Sequence, residues 1–153
     1  VEERKPLDYP TLPLAEIKAM PVKALLKYEG YLFLWATNRY LPAALEVMTA
    51  WGCTYRQTLT WCKQPIGVGC GGMFATTTEF LLVGQQITPA SHARGKRTKG
   101  SRINTSWFVA KRGRHSEKPE CFADMITQQC EGPYIELFAR QRRLGWDAWG
   151  NEV

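Results

Sequence analysis

The sequence predicts an α/β domain built on a largely parallel sheet. Short apolar runs of strand length alternate with segments of helical spacing. Several of these runs are apolar at consecutive positions, as in strands covered on both faces. Proline and glycine mark the boundaries between them. The chain has 153 residues, of which 44% are hydrophobic and 22% charged. This is enough to bury one core, so residues 1–153 read as a single domain and general disorder is excluded.

The elements follow in order. Leu14 to Lys27 carries apolar residues at helical spacing (Leu14, Ile17, Leu25, Leu26), interrupted near Pro21. Tyr31 to Ala36, YLFLWA, reads as a buried strand. Pro42 opens a helix to about Trp51, with Gly52 placed to cap its end. Tyr55 to Cys62 alternates as a strand does, and Phe80 to Val83 and Trp107 to Ala110 are two further short strands. Pro119 opens a helix to about Cys130, which Gly132 and Pro133 close. Tyr134 to Ala139 is a strand, the basic turn ARQRRLG follows, and Trp146 to Trp149 is the last short strand. Ligands of such sheets sit beyond the carboxyl ends of the strands.

Lys plus Arg number 20 and Asp plus Glu 14, a formal charge of +6. From Phe80 to Ser116 there are eight basic residues and no acidic one. The excess is thus a local patch, which points to a polyanionic partner. Two loops exceed ordinary connections: Gln64 to Ala75, rich in glycine, and Gln85 to Thr105, which contains HARGKRTKGSR. Basic residues interleaved with Trp107 and Phe108 suit a nucleic-acid backbone and unstacked bases. Five cysteines without CxxC spacing argue against a disulfide framework and against a metal site. The thiols read as reduced and the chain as cytoplasmic. No apolar run is long enough to cross a bilayer, and VEERKPLDYP is no signal peptide.

Some residues break local rules. Lys118 falls at the expected N-cap of the last helix, where a cation opposes the dipole unless an anion sits there. Turning outward into water is the alternative. Glu136 lies within YIELFA, where a carboxylate must be paired, with Arg140 or a backbone turn as candidates, or must orient the turn after the strand. Arg140, Arg142 and Arg143 follow that strand, and Asn151 and Glu152 follow the next. If the two strands are neighbours, these groups converge on one crevice suited to a ribose or a carboxylate. Trp35, Trp51 and Trp61 read as core more than as base-stacking platforms.

Taken together, YLFLWATN (31–38), WGCTYRQTLTWCK (51–63), TEFLLVG (78–84), HSEKPE (115–120), IELFAR (135–140) and GWDAWGNE (145–152) resemble the 6-methyladenine methyltransferase family. That family includes the catalytic subunit of the eukaryotic mRNA adenosine methyltransferase and many bacterial and phage enzymes. The resemblance implies a Rossmann-like, S-adenosylmethionine-dependent methyltransferase sheet with flanking helices. It implies that Lys118 holds the methionine carboxylate and that Arg140, Asn151 and Glu152 hold the ribose, with Glu136 and Arg142 beside them. The loop Lys111 to His115, including Arg112 and Arg114, would face the target base. Trp61 and Lys63 would lie on the substrate side. Lys96, Arg97, Lys99 and Arg102 belong to the basic loop that would bind the nucleic acid.

The family's catalytic motif, Asp-Pro-Pro-Trp, is not in this sequence, which has no Pro-Pro pair. No catalytic residue is therefore assigned, and the motif is expected upstream of Val1, on a strand between YLFLWAT and YIELFAR. The alternatives are a fragment completed by a partner and a rearranged sheet. The motif's oxygens accept the hydrogens of a poorly nucleophilic amine while the base, out of its stack, is aligned with the methyl donor. The function expected is methylation of the adenine amino group in nucleic acid, DNA favoured over RNA. A non-catalytic nucleic-acid-binding or scaffolding subunit is the rival. A homo- or heterodimer is compatible with either, and no membrane partner or metal is expected. The close spacing from HSEKPE to GNE resembles bacterial and phage members, and a nuclear location would apply only to a eukaryotic chain.

Overall fold

The computed structural model describes residues 11–67, 71–87 and 99–153. Helix α1 (Leu14–Ala19) is short, and a 3-10 turn at Val22–Leu25 follows Pro21. The single interrupted helix expected to Lys27 is thus two pieces, because proline cannot donate to the preceding turn. Then come β1 (Tyr31–Ala36), α2 (Leu41–Ala50), β2 (Thr54–Gln64), β3 (Thr78–Gln85), β4 (Trp107–Lys111), α3 (Glu120–Gln129), β5 (Tyr134–Leu137) and β6 (Trp146–Trp149). Strands β2 and β3 run longer than their apolar cores, since backbone pairing carries on into polar residues.

Four strands form one sheet in the order β1-β3-β2-β4, and β5 and β6 form a separate parallel pair. The expectation of a largely parallel sheet is corrected here. Strand β3 pairs antiparallel with both β1 and β2, and only β2 and β4 are parallel in the larger sheet. No helix lies between β2 and β3 among the described residues, so the chain turns straight back on itself. Consecutive apolar residues in β1 and β3 reflect cover on both faces, which strand direction does not alter.

One face packs under α2, where Ala36, Ala44, Met48, Cys53 and Leu82 form a buried cluster. An adjoining cluster of Val22, Val47 and Trp51 takes in Leu137 of β5, which ties the small sheet to the body of the fold. The other face packs under the first half of α3, where Phe122 meets Trp61 and Leu81. Phe122 stands edge-on to Trp35 at 4.9 Å and to Phe108 at 5.5 Å. These contacts fix the start of α3, and with it Lys118. Among the described residues Cys53, Cys62, Cys121 and Cys130 are free thiols, and no helix is long and apolar enough to cross a membrane.

Candidate cofactor and substrate site

Helix α3 begins at Glu120 with Pro119 in the cap position, so Lys118 lies one residue before the place expected for it. Its ammonium neither turns into water nor waits unpaired. It donates to Oε2 of Glu79, while Lys63 Nζ donates to Oε1 at 2.6 Å. Each ammonium also lies over an indole, Lys118 at 5.2 Å from Trp35 and Lys63 at 4.9 Å from Trp61. Glu79 is only 7% exposed. Burial pushes its carboxyl pKa up, but the hydrogen bonds and charges of Lys118 and Lys63 outweigh that and hold it below the ordinary value. Two ammoniums share one carboxylate, so one positive charge remains. Lys63 can keep Glu79 neutralised while Lys118 serves an incoming anion.

Sequence reasoning missed Glu79. The available signal was a lone carboxylate at the start of an apolar strand, just ahead of the apolar run FLLV. Trp61, which reads as core more than as a stacking platform and which the resemblance sets on the substrate side, is a core residue. It is 2% exposed, its indole N–H donates to the Ala110 carbonyl at 2.9 Å, and it stands edge-on to Trp35. A side chain so enclosed supports Lys63 from beneath.

The last two strands are neighbours, the condition for the expected crevice. β5 and β6 are hydrogen-bonded neighbours, and the Ala139 N–H donates to the Trp149 carbonyl at 3.0 Å just beyond them. Arg140 Nε donates to Glu152 at 3.0 Å and 3.2 Å, and its NH1 donates to the His115 carbonyl. One guanidinium therefore joins the segments HSEKPE, IELFAR and GWDAWGNE. Lys118 lies three positions after His115, at most about 11 Å along the chain. The backbone is specialised at the same place. Ser116 and Phe138 adopt left-handed conformations at φ 68° and 58°, which are uncommon for residues with side chains. A Cβ on Gly150 would lie 2.5 Å from the Ala139 oxygen, so only glycine lets the last turn pass over the arginine turn.

The charges acting on Glu136 come from Arg143 and Glu120, not from the expected Arg140. Burial raises its carboxyl pKa, the nearby charge of Arg143 lowers it, and Glu120 raises it further. Leu137 packs toward α2, so Glu136 projects to the opposite face, toward the turn after its strand. In that turn Arg143 donates to Glu120 and lies over Trp146, and Gln141 donates to Glu120 at 2.6 Å. Arg142, Asn151 and Glu152 are exposed along the rim. Phe138 and Trp149, 46% and 50% exposed and edge-to-face at 5.4 Å, add aromatic surface there that composition did not single out.

Lys99, Arg102, Lys111, Arg112, Arg114 and His115 are all exposed, and Lys96 and Arg97 lie outside the described residues. Arg102 precedes β4 and Lys111 ends it, so the basic residues bracket one edge of the sheet. Lys111 lies opposite Gln64, next to Lys63, and the Arg112 N–H donates to the Gln64 carbonyl at 2.8 Å.

Comparison with known proteins places these motifs in context. The family described as MT-A70 matches residues 1–152. The chain belongs to the MT-A70 family. A type II methyltransferase, M.MunI of a Mycoplasma species, is 32% identical over 149 residues, which cover 95% of this chain and 60% of that protein. The human N(6)-adenosine-methyltransferase catalytic subunit METTL3 is 28% identical over 156 residues, covering 96% of this chain and 26% of that protein. The N6-methyladenosine RNA methyltransferase MTA1 of Cryphonectria parasitica is 28% identical, covering 90% of this chain and 41% of that protein. The chain thus spans between about a quarter and three fifths of these relatives' lengths.

MT-A70 methyltransferases use S-adenosylmethionine as methyl donor. The donor set here fits that molecule. The ammonium of Lys118 suits its carboxylate, and the amide of Asn151 suits a ribose hydroxyl. The Arg140–Glu152 pair offers N–H donors and carboxylate acceptors that suit ribose hydroxyls, and the exposed faces of Phe138 and Trp149 suit a purine ring.

Proposed function

We propose that this chain is the donor-binding and nucleic-acid-binding part of an S-adenosylmethionine-dependent methyltransferase acting on the exocyclic amine of adenine, in DNA more than in RNA. The observation that carries this is Arg140, whose guanidinium holds the His115 carbonyl and the Glu152 carboxylate together and gathers three motifs of the MT-A70 family into one crevice. When bound, S-adenosylmethionine supplies a methyl group on sulfonium to an amine nitrogen. Lys118 orients the carboxylate end, and Arg140, Asn151 and Glu152 fix the ribose. Glu136 and Arg142 support and flank that turn. Lys63, Lys111, Arg112, Arg114 and His115 lie toward the strand that presents the target base, and Lys99 and Arg102 extend the basic edge. The base must leave its stack to be reached, and positioning of this kind supplies roughly 7–11 kcal/mol of a barrier.

Calorimetry on the full protein with S-adenosylmethionine tests the reading. Binding is expected, and Lys118→Ala and Asn151→Ala should each weaken it tenfold or more. The absence of any binding to the full protein would falsify it. Transfer of labelled methyl to matched DNA and RNA oligonucleotides, each with one adenine, should favour DNA. Preferential labelling of RNA would reverse that part alone.

A further inference from the structure

A groove on the α3 face of the larger sheet is lined by none of the residues given to the donor. Helix α3 covers only one end of its sheet face, over Trp35, Leu81 and Trp61. The other end is left as a groove of about 720 Å³, floored by Tyr31, Phe33, Leu59 and Val83. The second half of α3 and the segment Arg102–Phe108 form its walls. Its size is that of a site for a small molecule or a nucleotide. Tyr31 and Phe33 are ring neighbours at 6.3 Å.

The charge of the groove is one-sided. Among the described residues it is lined by two arginines, Arg56 and Arg102, and by no carboxylate. Arg56 is held in place by a neutral group: its Nε and NH2 donate to Oε1 of Gln85 at 3.1 Å and 2.9 Å. Gln85 is 1% exposed and donates in turn to the Glu29 carbonyl at 3.1 Å. Among the described residues the guanidinium is thus oriented with no ion pair, and its charge and that of Glu29 both act on Tyr31. A buried glutamine used to hold a cation beside aromatic rings, with no acid in that lining, calls for an anion that carries an apolar plane.

We infer that the groove binds an unstacked nucleotide of the substrate strand, outside the target adenine. Its phosphates meet Arg56 and Arg102, and its base lies against the aromatic floor. This rests on the proposed nucleic-acid substrate. Five residues of β1, Tyr31 to Trp35, run from the groove to the ring beneath Lys118, about 13 Å at strand spacing. Strand β4, at the opposite edge of the sheet, runs in the same direction as β1. One strand can therefore occupy both places only if it is single-stranded over that span.

The test is fluorescence anisotropy of the full protein with a single-stranded oligonucleotide, titrated at several salt concentrations. Arg56→Gln combined with Arg102→Gln should weaken binding about tenfold and flatten the salt slope by roughly 0.7 for each phosphate no longer neutralised. Gln57→Trp, which fills the groove without changing charge, should also weaken single-strand binding. Calorimetric binding of S-adenosylmethionine should stay at the wild-type value in both, which shows that the fold is intact. Wild-type affinity and slope in the variants overturn the assignment, as does weakening in the arginine variant alone with Gln57→Trp unaffected, since that would be general surface charge. If the wild-type protein binds no nucleic acid at all, the proposed function falls with it. If the wild type binds and methylates and the variants do so equally, only the groove falls.

Discussion

Replacing Glu79 by Gln keeps the shape of the side chain and removes the charge that two ammoniums share. Removing one member of a buried ionic group costs about 3–5 kcal/mol, because the remaining charge is left uncompensated. The lysine side chains are 18% and 26% exposed, so both can reach partway to water, and the lower end applies, about 3 kcal/mol. For a domain of this size each kcal/mol moves Tm by about 2–4 °C, so a fall of roughly 6–12 °C is expected at pH 7. The pH dependence follows from the direction of the shift. The folded carboxyl titrates below its ordinary value near 4.5, so its contribution is complete above that value. It is lost as pH falls through the lower, folded value. Thermal melts followed by circular dichroism at pH 7 and pH 3 should show the gap between wild type and Glu79→Gln closing in acid. Adding Lys63→Met should recover part of the loss at pH 7, since one of the stranded charges is gone. A gap that is equally wide at pH 3 and pH 7, or no recovery in the double variant, would refute the shared-carboxylate account.

Glu136→Gln should raise Tm at neutral pH. Burial lifts the folded pKa of Glu136, so its ionised form opposes folding above that value, and the gain should vanish in melts run below pH 4.5. Gly150→Ala forces a methyl group into the Ala139 backbone and should cost about 1–3 kcal/mol in chemical denaturation, with weaker S-adenosylmethionine binding. A fully stable variant would mean that the two turns are not packed as described. Phe122→Ala removes the aromatic anchor of α3 and should cost about 3–5 kcal/mol by the same measurement. It should also weaken donor binding, since Lys118 loses its fixed position.

Much of the fold is legible in local chemistry. Pro42 and Gly52 bound α2, Pro119 opens α3, and the apolar runs fall on β1, β3, β4 and β5. The crevice depends on β5 lying beside β6, and the two strands do pair. Strand direction is not legible, since β3 is buried between two helices and reads alike whichever way it runs. The pairing of Trp61 with Glu79 is illegible for a related reason. Nothing local shows that Trp61 and Glu79 belong together, until the sheet register sets them directly opposite each other.

By itself the sequence determined which residue types were on hand: a lysine ahead of α3, an arginine after β5, an Asn-Glu pair after β6 and a basic stretch with no acid. These follow from side-chain chemistry at fixed places along the chain. Only the tertiary structure decided their partners. Lys118 and Glu79 are separated by 39 positions and Arg140 and His115 by 25, and no local preference brings such pairs together. Burial against the sheet does so, because a charge enclosed beside Trp35 and Trp61 must find its counter-ion wherever the chain has placed one.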